Sequence, residues 1–98
     1  MAKFPVTEIE VASVERWLRQ RHELKHVRVR KRADMLILES GPADDPFPHA
    51  RLRRVAVHLW TLEMPTRGRW QPSGDRGPKE WLLELLVRQF GWMLTPAD

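Results

Sequence analysis

Apolar positions along this chain first recur at helical spacing. Val11, Val14 and Leu18 fall on one side of a helix, with Trp17 beside them. The helix start is marked: Thr7 and Glu10 fit the S/T-x-x-E capping box, in which each side chain closes a backbone N–H at the other residue. Val6 before the cap and Val11 four residues beyond it can close a hydrophobic staple. The pattern predicts a helix over 7–22. A second stripe, Trp81, Leu82, Leu83, Leu85, Leu86 and Phe90, predicts another over 78–90. Gly77 is placed as its N-cap, Pro78 at its first position, and Gly91 as its stop.

Between these segments the period changes to two. Val27 and Val29 alternate with His26, Arg28, Arg30 and Arg32, which reads as a strand with one buried face. Met35 to Glu39 is an apolar run of strand length, and Lys31 to Asp34 is long enough to turn between the two. Paired as a hairpin, Val29 would face Leu36, Val27 Leu38, Arg28 Ile37 and His26 Glu39. Residues 40–49 are a Pro/Gly/Asp loop carrying Asp44 and Asp45. A long, bent third strand is expected through RLRRVAVHLWTLEM, a turn at Met64 to Gly68, and a short fourth strand from Arg69 to Pro72. Trp92 to Leu94 could add an edge strand.

The order α-β-β-β-β-α implies an α+β fold: a two-layer sandwich with an antiparallel sheet and both helices on one face. At 98 residues the chain is expected to be a single domain, 1–98. It has no apolar run of membrane-spanning length, so no membrane partner is expected. The start, MAKFPVTEIE, lacks the apolar core of a signal peptide, so the expected location is cytoplasmic. The absence of cysteine removes disulfides and thiolate metal sites. The formal charge is +4, and 13 of the 17 cations are arginine, which admits a polyanionic partner.

One stretch spells a catalytic pattern. His22-Glu23-Leu24-Lys25-His26 matches H-E-x-x-H, in which two histidines one helical turn apart hold zinc and the glutamate acts as general base. A zinc-dependent hydrolase with His22 and His26 as metal ligands is therefore the alternative reading. It requires a helix through all five residues, whereas His26 already belongs to the strand alternation. Arg21 and Lys25 would also oppose the cation. A third ligand would have to come from Glu39, Asp44, Asp45, His49 or Glu63. Asp34 and Glu39 lack the lysine of a nuclease-like acid pair, Ser13, Ser40 and Ser73 lie in no nucleophile elbow, and Gly68, Gly74 and Gly77 form no phosphate loop. No catalytic residue, cofactor or small-molecule substrate is assigned.

The sheet face away from the helices says more. Val27, Val29, Leu36, Leu38, Val55, Val57, Leu59 and Trp70 are expected beneath the helices. Arg28, Arg30, Met35 and Ile37 then point the other way, joined by Arg54, His58, Trp60 and Leu62. Arg28, Arg30, Arg54, His58 and Trp60 are the candidate binding residues, on a face suited to a homodimer interface or to single-stranded nucleic acid, with Trp60 stacking a base. The run ARLRRVAVHLWTLEMPTRGRW, between MLILE and the ELL…FGWML end, resembles an uncharacterised family of small bacterial proteins with this order of elements. That resemblance implies the topology and no activity. The reading is of a small non-catalytic binding or self-association module.

Overall fold

The structure, a computed structural model, describes residues 4–21 and 24–91. Its elements are α1 (Glu8–Arg19), β1 (Arg28–Arg32), β2 (Met35–Ser40), β3 (Phe47–Ala56), β4 (Leu59–Thr66), β5 (Arg69–Gly77) and α2 (Lys79–Phe90). The α+β class is as expected, with five strands in place of four. Every strand pairs antiparallel with its neighbour in sequence, giving the order β1-β2-β3-β4-β5. The expected edge strand at 92–94 lies outside the described residues.

The start of α1 follows from its sequence. The Thr7 N–H and hydroxyl both donate to Glu10 Oε1 at 2.7 Å, and Ile9 N–H donates to Thr7 Oγ1 at 3.3 Å. Such a cap is worth about 1 kcal/mol. Val6 and Val11, the staple pair, are both buried. The helix stops at Arg19, short of residue 22. The chain then leaves it through i→i−3 bonds, Arg21 N–H to Leu18 O, Leu24 N–H to Arg21 O and Val27 N–H to Leu24 O. These tight turns bring Leu24 and Val27 into the core.

The β1–β2 hairpin is tighter than its sequence suggests. Its loop is only Ala33-Asp34, with Ala33 at φ 55°, so Lys31 and Arg32 stay in the strand. Val29 therefore lies opposite Leu38, Arg30 opposite Ile37 and Arg28 opposite Glu39. The expected Val29–Leu36, Arg28–Ile37 and His26–Glu39 pairs do not form. The slip is two residues, so the faces of both strands remain as expected.

The third strand is the main departure. The run from 51 to 64 is no bent strand but a hairpin, β3 and β4, turning at Val57-His58. Arg54 donates from Nε and Nη2 to Val57 O at 3.1 and 2.9 Å, and the register shifts between Arg54 and Ala56. A side chain thus stabilises a turn that carries no glycine, proline or asparagine. The hairpin also reverses the expected faces. Leu36, Leu52 and Leu62 align across three strands, all with no exposed surface, and Trp60 lies opposite Arg54 on the same side at 3% exposure. Val55 and Val57, expected in the core, are exposed.

β5 runs past Pro72 to Gly77. Residues 73–75 bulge out opposite Leu62, with Gly74 at φ 91° and the Ser73 hydroxyl donating to Asp75 Oδ2 at 2.9 Å. Pro72 is tolerated because β5 is an edge strand. The N-cap of α2 is Pro78, one residue later than expected, and makes no side-chain cap bond. Gly77 serves a different purpose, since a Cβ there would lie 2.8 Å from the Trp81 ring. Val14 and Leu18 of α1, Leu82, Leu83 and Leu86 of α2, and the Leu36–Leu52–Leu62 face join in one core cluster. Arg21 and Glu84 tie the end of α1 to α2 at 2.5 Å.

Candidate functional site

Register fixes what occupies the other sheet face. In the rows Arg30–Ile37–Arg51–Glu63 and Arg32–Met35–Arg53–Thr61–Arg76, successive residues are paired partners on adjacent strands. Arg28 and Glu39 pair beside them. Two of the five expected binding residues, Arg28 and Arg30, lie here together with Met35 and Ile37. Arg51, Arg53, Arg76 and Glu63 share this face and were not among the expected binding residues.

The face is cross-linked by charge. Glu39, 4% exposed, is held by Arg30 Nε at 3.2 Å and Arg28 Nη2 at 3.5 Å. Glu63 accepts from Arg51 and lies 3.5 Å from Arg53 Nε, while Arg53 Nη1 reaches Asp34 at 3.2 Å. Pairs in the open contribute little, but a carboxylate as enclosed as Glu39 would be unfavourable without its guanidinium partners. Ile37 is buried at the centre, between its register partners Arg30 and Arg51, and long arginine stems are able to cover an apolar neighbour in this way. Trp70, expected under the helices, instead pairs with Pro65 on the arginine face, where the Arg51 guanidinium lies 4.5 Å from its ring centre.

Six arginines on this face (28, 30, 32, 51, 53 and 76) meet three carboxylates, Asp34, Glu39 and Glu63, leaving three positive charges in excess. The side chains of Arg28, Arg30 and Arg53 remain 39%, 48% and 34% exposed despite their ion pairs. Among the described residues Arg32 and Arg76 have no ion pair, and both are exposed.

The other three expected binding residues are elsewhere. Arg54, His58 and Trp60 line a cleft of about 160 Å³ with Glu10, Val57, Pro78, Lys79 and Glu80. Arg54 is fully occupied there, donating to Val57 O, to Pro5 O at 3.1 Å and to Glu10 at 3.5 Å. Burial acts to raise the Glu10 carboxyl pKa. Hydrogen bonds from the Thr7 hydroxyl and N–H, with the charges of Arg54 and Lys79, outweigh it and hold the pKa below the ordinary value. Trp60 is a core residue and Leu62 with it, so neither is available to stack a base or anchor a dimer.

The zinc reading loses its precondition. α1 ends at Arg19 and residues 24–26 lie in turns, so α1 does not continue through Leu24 to His26. His22 and Glu23 lie outside the described residues, and no group of three metal-ligating side chains occurs among the described ones. His26 instead meets His49 edge to face, with ring centres 5.8 Å apart. His49 and Ser40 share a hydrogen bond of 2.7 Å between Nε2 and Oγ, and both are buried. A serine nucleophile needs access, and Ser40 is 5% exposed, so this pair satisfies polar groups at the base of the 41–46 loop. Alternation gives no signal for a polar pair of this kind.

No described helix is long and apolar enough to cross a membrane. Comparison with protein-family models, curated proteins and solved structures finds no match to the chain.

Proposed function

We propose that this chain is a non-catalytic binding module that takes single-stranded nucleic acid across its arginine face. The observation that carries the reading is the excess of three positive charges there, on guanidinium groups that stay partly exposed. Strands lie about 4.8 Å apart, and next-but-one residues about 7 Å apart along each strand. That grid of cations suits an extended sugar–phosphate backbone. Arginine forks donate two N–H groups to a phosphate at once. Trp70 supplies an aromatic ring at the margin of the same face. Self-association has less support, because the tryptophan that would anchor it, Trp60, lies in the chain's own core.

The test is a titration of labelled oligothymidylate at low and moderate salt. Binding at low salt should weaken steeply as salt rises, with a logarithmic slope of about −0.7 for each phosphate engaged. Absence of low-salt binding removes the reading. Sedimentation over a concentration series is expected to show a monomer. A dimer lost on replacing Arg32 and Arg76 with glutamine would assign the face to a second copy of the chain.

A further inference from the structure

At one corner of the arginine face lies a cleft of about 530 Å³, lined by Arg28, Val29, Arg30, Glu39, Ala43 and Pro46. Its wall is built by a side chain. Arg28 donates from Nη1 to Gly41 O and from Nη2 to Pro42 O, so β1 holds the first residues of the 41–46 loop. Gly41 turns the chain at φ 86°, and Asp45 N–H closes onto Pro42 O at 3.1 Å. Ala43 and Pro46 thereby form an apolar wall. Opposite them Arg30 engages Glu39 through Nε alone, and its two terminal nitrogens have no partner among the described residues. Glu39, buried and paired with both arginines, orients them and offsets one of their two positive charges, leaving the cleft one net positive charge.

A ligand matched to this cleft has two anionic oxygens for the open fork of Arg30 and a flat, weakly polar body for Ala43 and Pro46. We infer that the cleft seats one nucleotide, with its phosphate on Arg30 and its base against the loop wall. The inference rests on the nucleic-acid reading of the adjoining face and adds where a strand begins. Asp44 and Asp45, exposed in the loop that walls the cleft, disfavour a second phosphate beyond it. A bound strand would then run from this corner toward Arg51 and Arg53, making the cleft an end site rather than a channel.

The experiment is a side-chain NMR titration of the full chain with adenosine monophosphate, then with inorganic phosphate, alongside oligothymidylate binding by anisotropy. Adenosine monophosphate is expected to shift the Arg30 Nε–H and Ala43 methyl signals together. Arg30→Lys keeps the charge and removes the fork. It should weaken both the mononucleotide and the oligonucleotide by about tenfold with the salt slope unchanged, whereas Arg88→Lys on α2 should change neither. If oligothymidylate binds the parent and Arg30→Lys equally well, the cleft is not a nucleotide seat, while the face remains one for nucleic acid. If oligothymidylate does not bind the parent, the broader reading fails, and the mononucleotide shifts alone decide for or against the cleft. If inorganic phosphate reproduces the Arg30 shift and the nucleotide adds none at Ala43, the site takes an anion only and the inference is overturned.

Discussion

The two faces of this sheet are built from alternate residues of the same strands, and they are held together by different physics. On one, Leu36, Leu52 and Leu62 align in register with no exposed surface and merge with both helices. On the other, the adjacent row is Ile37, Arg51 and Glu63, in which one isoleucine is buried and the rest is charge answering charge. The leucine face contributes stability in proportion to the apolar area removed from water. Where the arginine face is open, as at Arg32 and Arg76, it contributes little to folding, since exposed charges are screened and hydrated; Arg51 and Glu63, at 16% and 14% side-chain exposure, are more enclosed. The exposed arginines of that face, on which folding depends least, are free to meet a partner.

The largest effects should fall on the leucine face. Trp60→Ala and Leu52→Ala are each expected to lower unfolding free energy by about 3 kcal/mol or more, read from urea melts. A Trp60→Ala chain as stable as the parent would break the comparison outright. The most enclosed charge of the arginine face ought to behave like a core residue. Removing both Arg28 and Arg30 as glutamines strands the enclosed Glu39 carboxylate, which should destabilise by about 3 kcal/mol at neutral pH. Adding Glu39→Gln should restore much of that loss, and failure to do so would mean that Glu39 is not the buried charge responsible.

Away from Glu39 the face should separate binding from stability. Arg32→Gln with Arg76→Gln is expected to leave the unfolding free energy from urea melts within about 0.5 kcal/mol of the parent. The same pair should weaken oligothymidylate about tenfold at low salt and make the salt slope shallower by about 1.4. The smallest effect belongs to Glu10. Its carboxyl pKa is lower in the folded chain than in the unfolded one. Its contribution is therefore complete above the unfolded value of about 4.3 and is lost as pH falls through the lower folded value. Glu10→Gln should cost about 1 kcal/mol or less near neutrality and flatten the acid limb of a stability–pH curve.

Local rules were legible in the sequence where they are self-contained. Thr7 and Glu10 announce the capping box by spacing alone. The turn expected over Met64 to Gly68 is narrower: Gly68 marks it, but only Arg67-Gly68 turn, both at positive φ, while Met64, Pro65 and Thr66 pair within β4. The faces of β1 and β2 followed from alternation even though their register did not, because a slip of two preserves sidedness. The turn at Val57-His58 was illegible because its stabilising group, the Arg54 guanidinium, is three residues away and leaves no trace in turn propensity. Both sides of that stretch carry apolar residues, with Val55 and Val57 against Leu52, Trp60 and Leu62, so alternation could not choose between them. Arg51 and Arg53 read as mere composition, and Glu63 only as a possible metal ligand, until register places them on one face with Met35 and Ile37. Arg28 and Arg30 could be placed on this face because their strand alternates cleanly.

Each strand of the sheet pairs with the one before it, and three of the four connections are only two residues long. The consequence lies in how the chain acquires its shape. Contacts between neighbouring hairpins join residues close in sequence, so little loop entropy is lost before pairing begins, and zipping from the short turns can be fast. Docking of the helices is the non-local step, since the Arg21–Glu84 bridge joins residues 63 positions apart. A meander that forms early would expose its leucine face until α1 and α2 arrive, leaving that face open to association with other chains. Strengthening the Arg21–Glu84 contact would then slow unfolding without hastening folding.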